Sequence, residues 1–286
     1  MKKKTDIRER LSKMTDTRGR VSLQRILCIV LCIAVISGII ATVEYLTRDP
    51  VIIGVIDTGI STNAIDSEHI LEGKNYLDSS LSTEDTYGHG TAVASVILRE
   101  LTDAQFVPLV SNAYNKGKIE QVDNDLFAGI IRDAVDVYHC GIINVSMGLI
   151  LDKPSVREAV AYAEEKGVLV VASVGNDYAT DGEFVYYPAA YETVLSVGSV
   201  NKKKKEISKF SQRGDWVDIY ARGEEITIKT LSGNTRESEG TSYSAALVTA
   251  RAARLLQKNP NLTPAELREK LLNKAKQLDS GILVLN

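Results

Sequence analysis

Three short segments of this 286-residue chain set a carboxylate, an imidazole and a hydroxyl where they could together make a nucleophile. Val55-Ile56-Asp57-Thr58-Gly59 ends an apolar, strand-like run on an aspartate. Tyr87-Gly88-His89-Gly90-Thr91 holds a histidine between two glycines. Glu239-Gly240-Thr241-Ser242-Tyr243-Ser244-Ala245-Ala246 places a serine just after a glycine, at the head of small residues able to start a helix. A serine hydroxyl is a poor nucleophile at neutral pH. It needs a base within hydrogen-bond reach, and that base needs an orienting partner. The glycines beside His89 and Ser242 suit a site that a second backbone must approach closely. A helix starting at Ser242 brings a backbone N–H and a positive dipole end to a developing oxyanion. The chain has two other histidines, His69 in a polar stretch and His139 beside Cys140, and neither carries such a flank.

The elements that must position these groups read as an α/β pattern. Val51–Ile56, Gln105–Val110, Ile142–Val145, Val168–Ser173 and Val194–Val197 are short apolar runs, as buried parallel strands are. Between them lie helical periods. Thr91–Leu98 follows His89; Leu126, Ile130, Ala134 and Val137 keep one face; Val156, Val160 and Ala163 keep another before Gly167. A last helix is signalled by Thr263 as cap, Pro264 in the first turn and Glu266 completing a capping box. Its expected buried stripe is Leu267, Leu271, Ala275 and Leu278. Lys202–Lys205 reads as a solvated loop between two strands.

The order Asp57, His89, Ser242 is that of subtilisin. From about Val51 to the C-terminus the chain resembles the subtilisin-like serine proteases, the subtilases. Three more segments carry the likeness in family order. Val170-Val171-Ala172-Ser173-Val174-Gly175-Asn176 resembles the strand ending in the oxyanion-hole asparagine. Ile142-Ile143-Asn144-Val145-Ser146-Met147-Gly148 resembles the strand bordering the substrate cleft. Tyr187-Pro188, before Val194-Leu195-Ser196-Val197-Gly198, resembles a family turn with a cis peptide bond. The resemblance implies a doubly wound, mostly parallel sheet with helices on both faces. It implies Ser242 as nucleophile, His89 as base then acid, and Asp57 orienting the imidazole. Asn176 and the Ser242 backbone N–H would form the oxyanion hole. Ser146, Met147, Gly148, Ser173, Val174, Gly175 and Tyr186 would line the substrate cleft. Polypeptides would be the substrates, and no cofactor or metal is expected.

Departures from the family pattern sharpen the expectations. Tyr243 replaces the usual methionine after the nucleophile, and Ala246 stands where proline is frequent. Tyr186 aligns with an often small position of the primary specificity pocket. A tyrosine there would shorten the pocket and favour small residues before the scissile bond, whereas Asp177 could instead attract a basic side chain. The link from the Thr91–Leu98 helix to Gln105 is too short for the calcium loop many relatives insert, and a propeptide is not expected, since only seven residues separate the apolar run from the first strand. A different class remains as the alternative: a catalytically inactive subtilase fold that binds peptides or scaffolds. The Asp57-Thr58-Gly59 triplet also matches the aspartic-protease signature, with Asp279-Ser280-Gly281 as its only partner. Five residues after Gly281 cannot build a second lobe, and that reading leaves His89 and Ser242 unused.

The N-terminus reads differently. Residues 1–25 carry nine Lys/Arg against Asp6, Glu9 and Asp16, a net of +6, so the rest carries −9 of the chain's −3. An acidic body argues against nucleic acid as a partner. Ile26 to Val43 is an uncharged run of 18 residues, extended by Tyr45 and Leu46, close to the roughly 20 that span a bilayer. Residues 26–46 are therefore expected to form one transmembrane helix after the basic segment 1–25, with 47–50 as linker and 51–286 as the peptidase domain. The basic flank puts the N-terminus in the cytoplasm and the domain outside, at the cell membrane. A cleaved signal peptide is the competing reading, and no clean small-x-small site follows the run. Cys28 and Cys32 lie in this run, and Cys140 stands alone in the domain, where it is expected to pack as a small hydrophobe.

Overall fold

Alternation along the central strands decides which helices pack where. The computed structural model describes residues 26–36, 50–115, 118–203 and 205–285. The chain falls into two compact units, 1–49 and 50–286. In the second unit the strands in chain order are β1 (Ile52–Asp57), β2 (Lys74–Asn75), β3 (Gln105–Val110), β4 (Asn112–Asn115) and β5 (Lys118–Gln121). Then come β6 (Ile142–Val145), β7 (Leu169–Ser173), β8 (Val194–Val200) and β9 (Ile219–Arg222). The last four are β10 (Ile226–Lys229), β11 (Thr235–Ser238), β12 (Lys276–Gln277) and β13 (Leu283–Val284). The helices of this unit are α1 (His89–Glu100), α2 (Asn124–Asp136), α3 (Pro154–Glu165), α4 (Tyr178–Asp181), α5 (Thr241–Lys258) and α6 (Pro264–Lys274).

Nine strands form one sheet in the order β12-β13-β9-β8-β7-β6-β1-β3-β2, parallel except where β12 meets β13. Ile53 and Val55 of β1, Ile142 of β6 and Val171 of β7 face α1, α5 and α6. Ile56, Ile143, Val145 and Val170, one residue out of step on the same strands, face α2 and α3. A period of two in a fully apolar strand thus serves two cores, the expected doubly wound arrangement. Phe127 of α2 is wholly buried, and its truncation to alanine would cost about 3–5 kcal/mol.

Helix signals operate as expected at the start of α6. Thr263 Oγ1 accepts from the Glu266 backbone N–H, Glu266 reaches back to Thr263, and Pro264 opens α6. The expected stripe is corrected at its end. Leu267 and Leu271 are buried, but α6 stops at Lys274. Ala275 is already extended at φ −72° and ψ 148°, so Lys276–Gln277 can pair with Leu283–Val284. Leu278 packs instead with Val200, Tyr220 and Val284. The helix after Gly88 begins two residues earlier than expected, at His89. Tyr187–Pro188 is cis. Lys202, Lys203 and Lys205 are exposed in the loop after β8. Cys140 is buried, and burial pushes its thiol up to about 12, which keeps it an unreactive hydrophobe.

Of the expected transmembrane segment, residues 26–36 are helical and 37–46 lie outside the described residues, as do 1–25 and 47–49 of the basic segment and linker. Among the described residues no helix is long and apolar enough to cross a membrane.

Candidate active site

Parallel strands deliver their C-terminal ends to one edge of the sheet, and the expected site residues gather there. β1 is flanked by β3 on one side and β6 on the other, the point where strand order reverses and open α/β sheets bind ligands. Asp57 is the last residue of β1. Asn176 lies just beyond β7, and Ser146 just beyond β6.

Asp57 and His89 are directly joined. His89 Nδ1 lies 2.8 and 2.9 Å from the two Asp57 carboxylate oxygens. Asp57 is 2% exposed and also accepts the Thr58 backbone N–H at 2.8 Å. The His89 side chain keeps 28% of its surface open, so Nε2 is left to work outward. Close approach of α1 to β1 depends on Gly90. A Cβ there would stand 2.2 Å from the Gly59 carbonyl oxygen and 3.1 Å from Asp57 Cβ. Gly88, at φ 102°, adopts the left-handed conformation that turns the loop into α1.

Burial disfavours the charged imidazole. The charge and hydrogen bond of Asp57, then the charge of Asp85, outweigh it and raise His89 above its ordinary value of 6.5. Asp85 is a residue that motif reading overlooked. It is 3% exposed, and one oxygen accepts from the Tyr87 and Gly88 backbone N–H groups at 2.9 and 2.7 Å. The other accepts from the Thr91 backbone N–H and hydroxyl at 2.9 and 2.7 Å. Its only signal in sequence is a lone aspartate four residues before the histidine.

Ser242 is the second residue of α5, 5% exposed, among the first N–H groups that have no partner within their own helix. Its two neighbours tie it to the other groups. Thr241 donates to Asn176 Oδ1 from both its backbone N–H and its hydroxyl, each at 2.9 Å. Tyr243 turns its ring toward His89, with centroids 6.2 Å apart. Gly240, at φ 153°, sits where a Cβ would meet the Asn176 amide nitrogen at 3.6 Å. With Oδ1 occupied by Thr241, the Asn176 Nδ2 amide is the end available to a substrate oxygen.

The remaining cleft residues divide. Ser146 Oγ accepts from Asn144 Nδ2 at 3.0 Å, and Asn144 Oδ1 accepts from Thr249 of α5 at 2.9 Å, so α5 braces this wall. Ser146 and Met147 line a cavity of about 280 Å³ with Thr58, His89, Asn112 and Gln121. A second cavity, about 570 Å³, lies against His89 and Tyr243 and is walled by Ile228, Leu231 and Arg236. Gly148 and Gly175 both abut the ring of Tyr186. Val174 is wholly buried in the core, and Ser173 is 6% exposed within β7. Both side chains are buried because the end of this parallel strand is covered on both faces. Asp177, expected as a possible anchor for a basic side chain, instead accepts the Tyr186 hydroxyl. Among the described residues no group of three or more His, Cys, Asp or Glu side chains converges to hold a metal ion.

Known proteins are similar to this chain over the whole domain. The model of the subtilase family matches residues 48–284. Minor extracellular protease Epr of Bacillus subtilis (strain 168) is 33% identical over 230 residues, 79% of this chain. Subtilisin BL of Lederbergia lenta is 33% identical over 241 residues, 82% of this chain. The match spans 35% of Epr and 87% of Subtilisin BL. Among solved structures, a lanthipeptide protease superposes with a TM-score of 0.72 at 22% identity, over 84% of this chain and 88% of that one. A cold-adapted subtilisin-like serine proteinase gives 0.71 at 24% identity, over 82% and 87%. Both likenesses concern the fold.

Proposed function

This chain belongs to the subtilase family of serine endopeptidases, and we propose that it hydrolyses peptide bonds through Asp57, His89 and Ser242. The observation that carries the reading is the paired Nδ1 contact of His89 with a buried Asp57, with Tyr243, the residue after Ser242, turning its ring toward the same imidazole. Asp57 holds the imidazole with its proton on Nδ1, which leaves Nε2 as the base. Nε2 takes the Ser242 proton as Oγ attacks the scissile carbonyl carbon, and the carbonyl oxygen gains the negative charge. Asn176 Nδ2 and the Ser242 N–H meet that charge, and the positive end of α5 supports it. His89 then gives its proton to the leaving amine, so the peptide bond breaks and an acyl ester remains on Ser242. Water enters, loses a proton to Nε2, and releases the acid as Ser242 recovers its hydrogen. Incubation of the full chain with an unfolded protein substrate tests the reading: fragments should form with the native chain and not with Ser242→Ala.

The same reading includes an anchor. The described helix 26–36 exposes Ile26, Leu27, Val30, Leu31 and Val35, and the uncharged sequence continues to Val43. A helix apolar on all sides is stable in lipid. The basic flank before it orients the peptidase domain to the extracytoplasmic side. Seven residues, Glu44 to Pro50, then reach about 23–25 Å when fully extended, so the substrates are polypeptides near the membrane surface. Fractionation decides this: the full-length chain should sediment with membranes and resist high salt and alkali. Recovery in the soluble fraction with a new N-terminus near Ala41 would point to a cleaved signal peptide instead.

A further inference from the structure

The wall between β6 and β7 contains a slot already filled by the protein's own side chain. Gly148 follows β6 and Gly175 follows β7. A Cβ on Gly148 would stand 2.8 Å from Tyr186 Cδ1, and one on Gly175 would stand 2.7 and 2.8 Å from Cδ2 and Cε2. The two glycines therefore press on opposite edges of one phenol ring. Both positions must lack a side chain for the ring to fit. Its far end is fastened as well, because the Tyr186 hydroxyl donates to Asp177, one residue from Asn176. Burial, with Asp177 behind it, pushes the phenol to about 12, so it remains a donor through neutral pH. At its base, Leu149 and Tyr187 exchange backbone hydrogen bonds at 2.7 and 2.9 Å, which clamps the segment against the wall.

We infer that Tyr186, locked by Asp177 between Gly148 and Gly175, is a built-in plug that restricts cleavage to bonds preceded by glycine, alanine or serine. The proposal rests on the endopeptidase reading for the position of the slot, one residue from the Asn176 amide that faces the scissile carbonyl. A substrate side chain pointing into that wall meets the ring after its first carbon. The exposed apolar Ile150 and Leu151, and Phe184 and Val185 across the Leu149–Tyr187 bridge, give neighbouring substrate residues a surface that does not depend on the plug. Asp177 is committed to the hydroxyl, which removes the attraction for a basic side chain that its charge alone suggests.

Two tetrapeptide anilides, identical except for alanine or phenylalanine before the anilide bond, test this with the full chain. The native protein should favour alanine by at least roughly tenfold in kcat/KM, the order that pocket exclusion gives. Tyr186→Gly should gain at least about tenfold on the phenylalanine substrate, while Tyr186→Phe, which keeps the ring and loses the tie to Asp177, should stay selective for alanine. Equilibrium binding of the same peptides to Ser242→Ala separates this idea from the enzymatic one. Failure of hydrolysis with alanine still preferred in binding would overturn the peptidase reading and uphold the plug. Equal or better handling of phenylalanine by the native protein, in either assay, would overturn the plug. So would a correctly folded Tyr186→Gly with no change in preference.

Discussion

Asp85 and Thr91 close the turn that carries His89: one carboxylate oxygen of Asp85 receives both the backbone N–H and the hydroxyl of Thr91, at 2.9 and 2.7 Å. The other oxygen holds the backbone of Tyr87 and Gly88, so residues on both sides of the imidazole hang from one buried carboxylate. Asp85→Asn keeps the shape but loses one acceptor. Its kcat should fall by about 10- to 100-fold, as a small misplacement of a base does, with KM little changed. Because Asp85 also helps raise His89, the acid limb of the pH–rate profile should move to lower pH. Rate loss without that shift would reduce Asp85 to a scaffold.

The native pH profile has a defined sign. The base must be neutral, and the folded pKa of His89 is raised above 6.5 by Asp57 and Asp85 against the opposing effect of burial. kcat/KM should therefore climb with pH through a midpoint above 6.5. The same shift stabilises the fold fully below the unfolded pKa, and this contribution is lost as pH rises through the folded pKa. A midpoint below 6.5 would mean that burial outweighs the carboxylates.

Asn176→Ala should lower kcat by about 10²–10³, with KM nearly unchanged, because the oxyanion exists only along the reaction path. Thr241→Val removes the hydroxyl that helps hold Asn176 Oδ1 and should lower kcat less, in the same direction. An effect confined to KM in either variant would take Asn176 out of the oxyanion hole.

Gly90→Ala tests the approach of α1 to β1. The added carbon would collide with the Gly59 carbonyl oxygen, so the helix must retreat and stretch the His89–Asp57 contact. Activity should drop by more than about tenfold, with a lower Tm. Full activity would show that the two elements have slack.

The outline of the site was legible because each of its chemical groups carries a local mark. Glycines flank His89, an apolar strand ends at Asp57, another ends three residues before Asn176, and Gly240 stands two residues before Ser242. The support structure carried no such mark. Asp85 acts through backbone N–H groups of an irregular turn, which no hydrophobic period describes. Val174 follows the end of β7 with its side chain wholly buried, a placement that its motif does not mark. The competition between Tyr186 and Asp177 was open in the sequence because it turns on where one phenol ring lies, and that is fixed by two glycines 27 positions apart in the chain. The end of α6 departs from the sequence period for a similar reason. Pairing of Lys276–Gln277 with Leu283–Val284 overrides a helical period that continued through Ala275 and Leu278.

The central claim is that Ser242 is made nucleophilic by His89 and Asp57. Reaction of the full chain with a fluorophosphonate, followed by peptide mass mapping of the adduct, tests it most directly. The account predicts one modified residue, Ser242, with labelling abolished in Ser242→Ala and slowed by at least about 10³-fold in His89→Ala and Asp57→Ala. No adduct on Ser242 in the native protein, or labelling that survives His89→Ala at the native rate, would contradict it and favour a fold kept for binding peptides rather than cutting them.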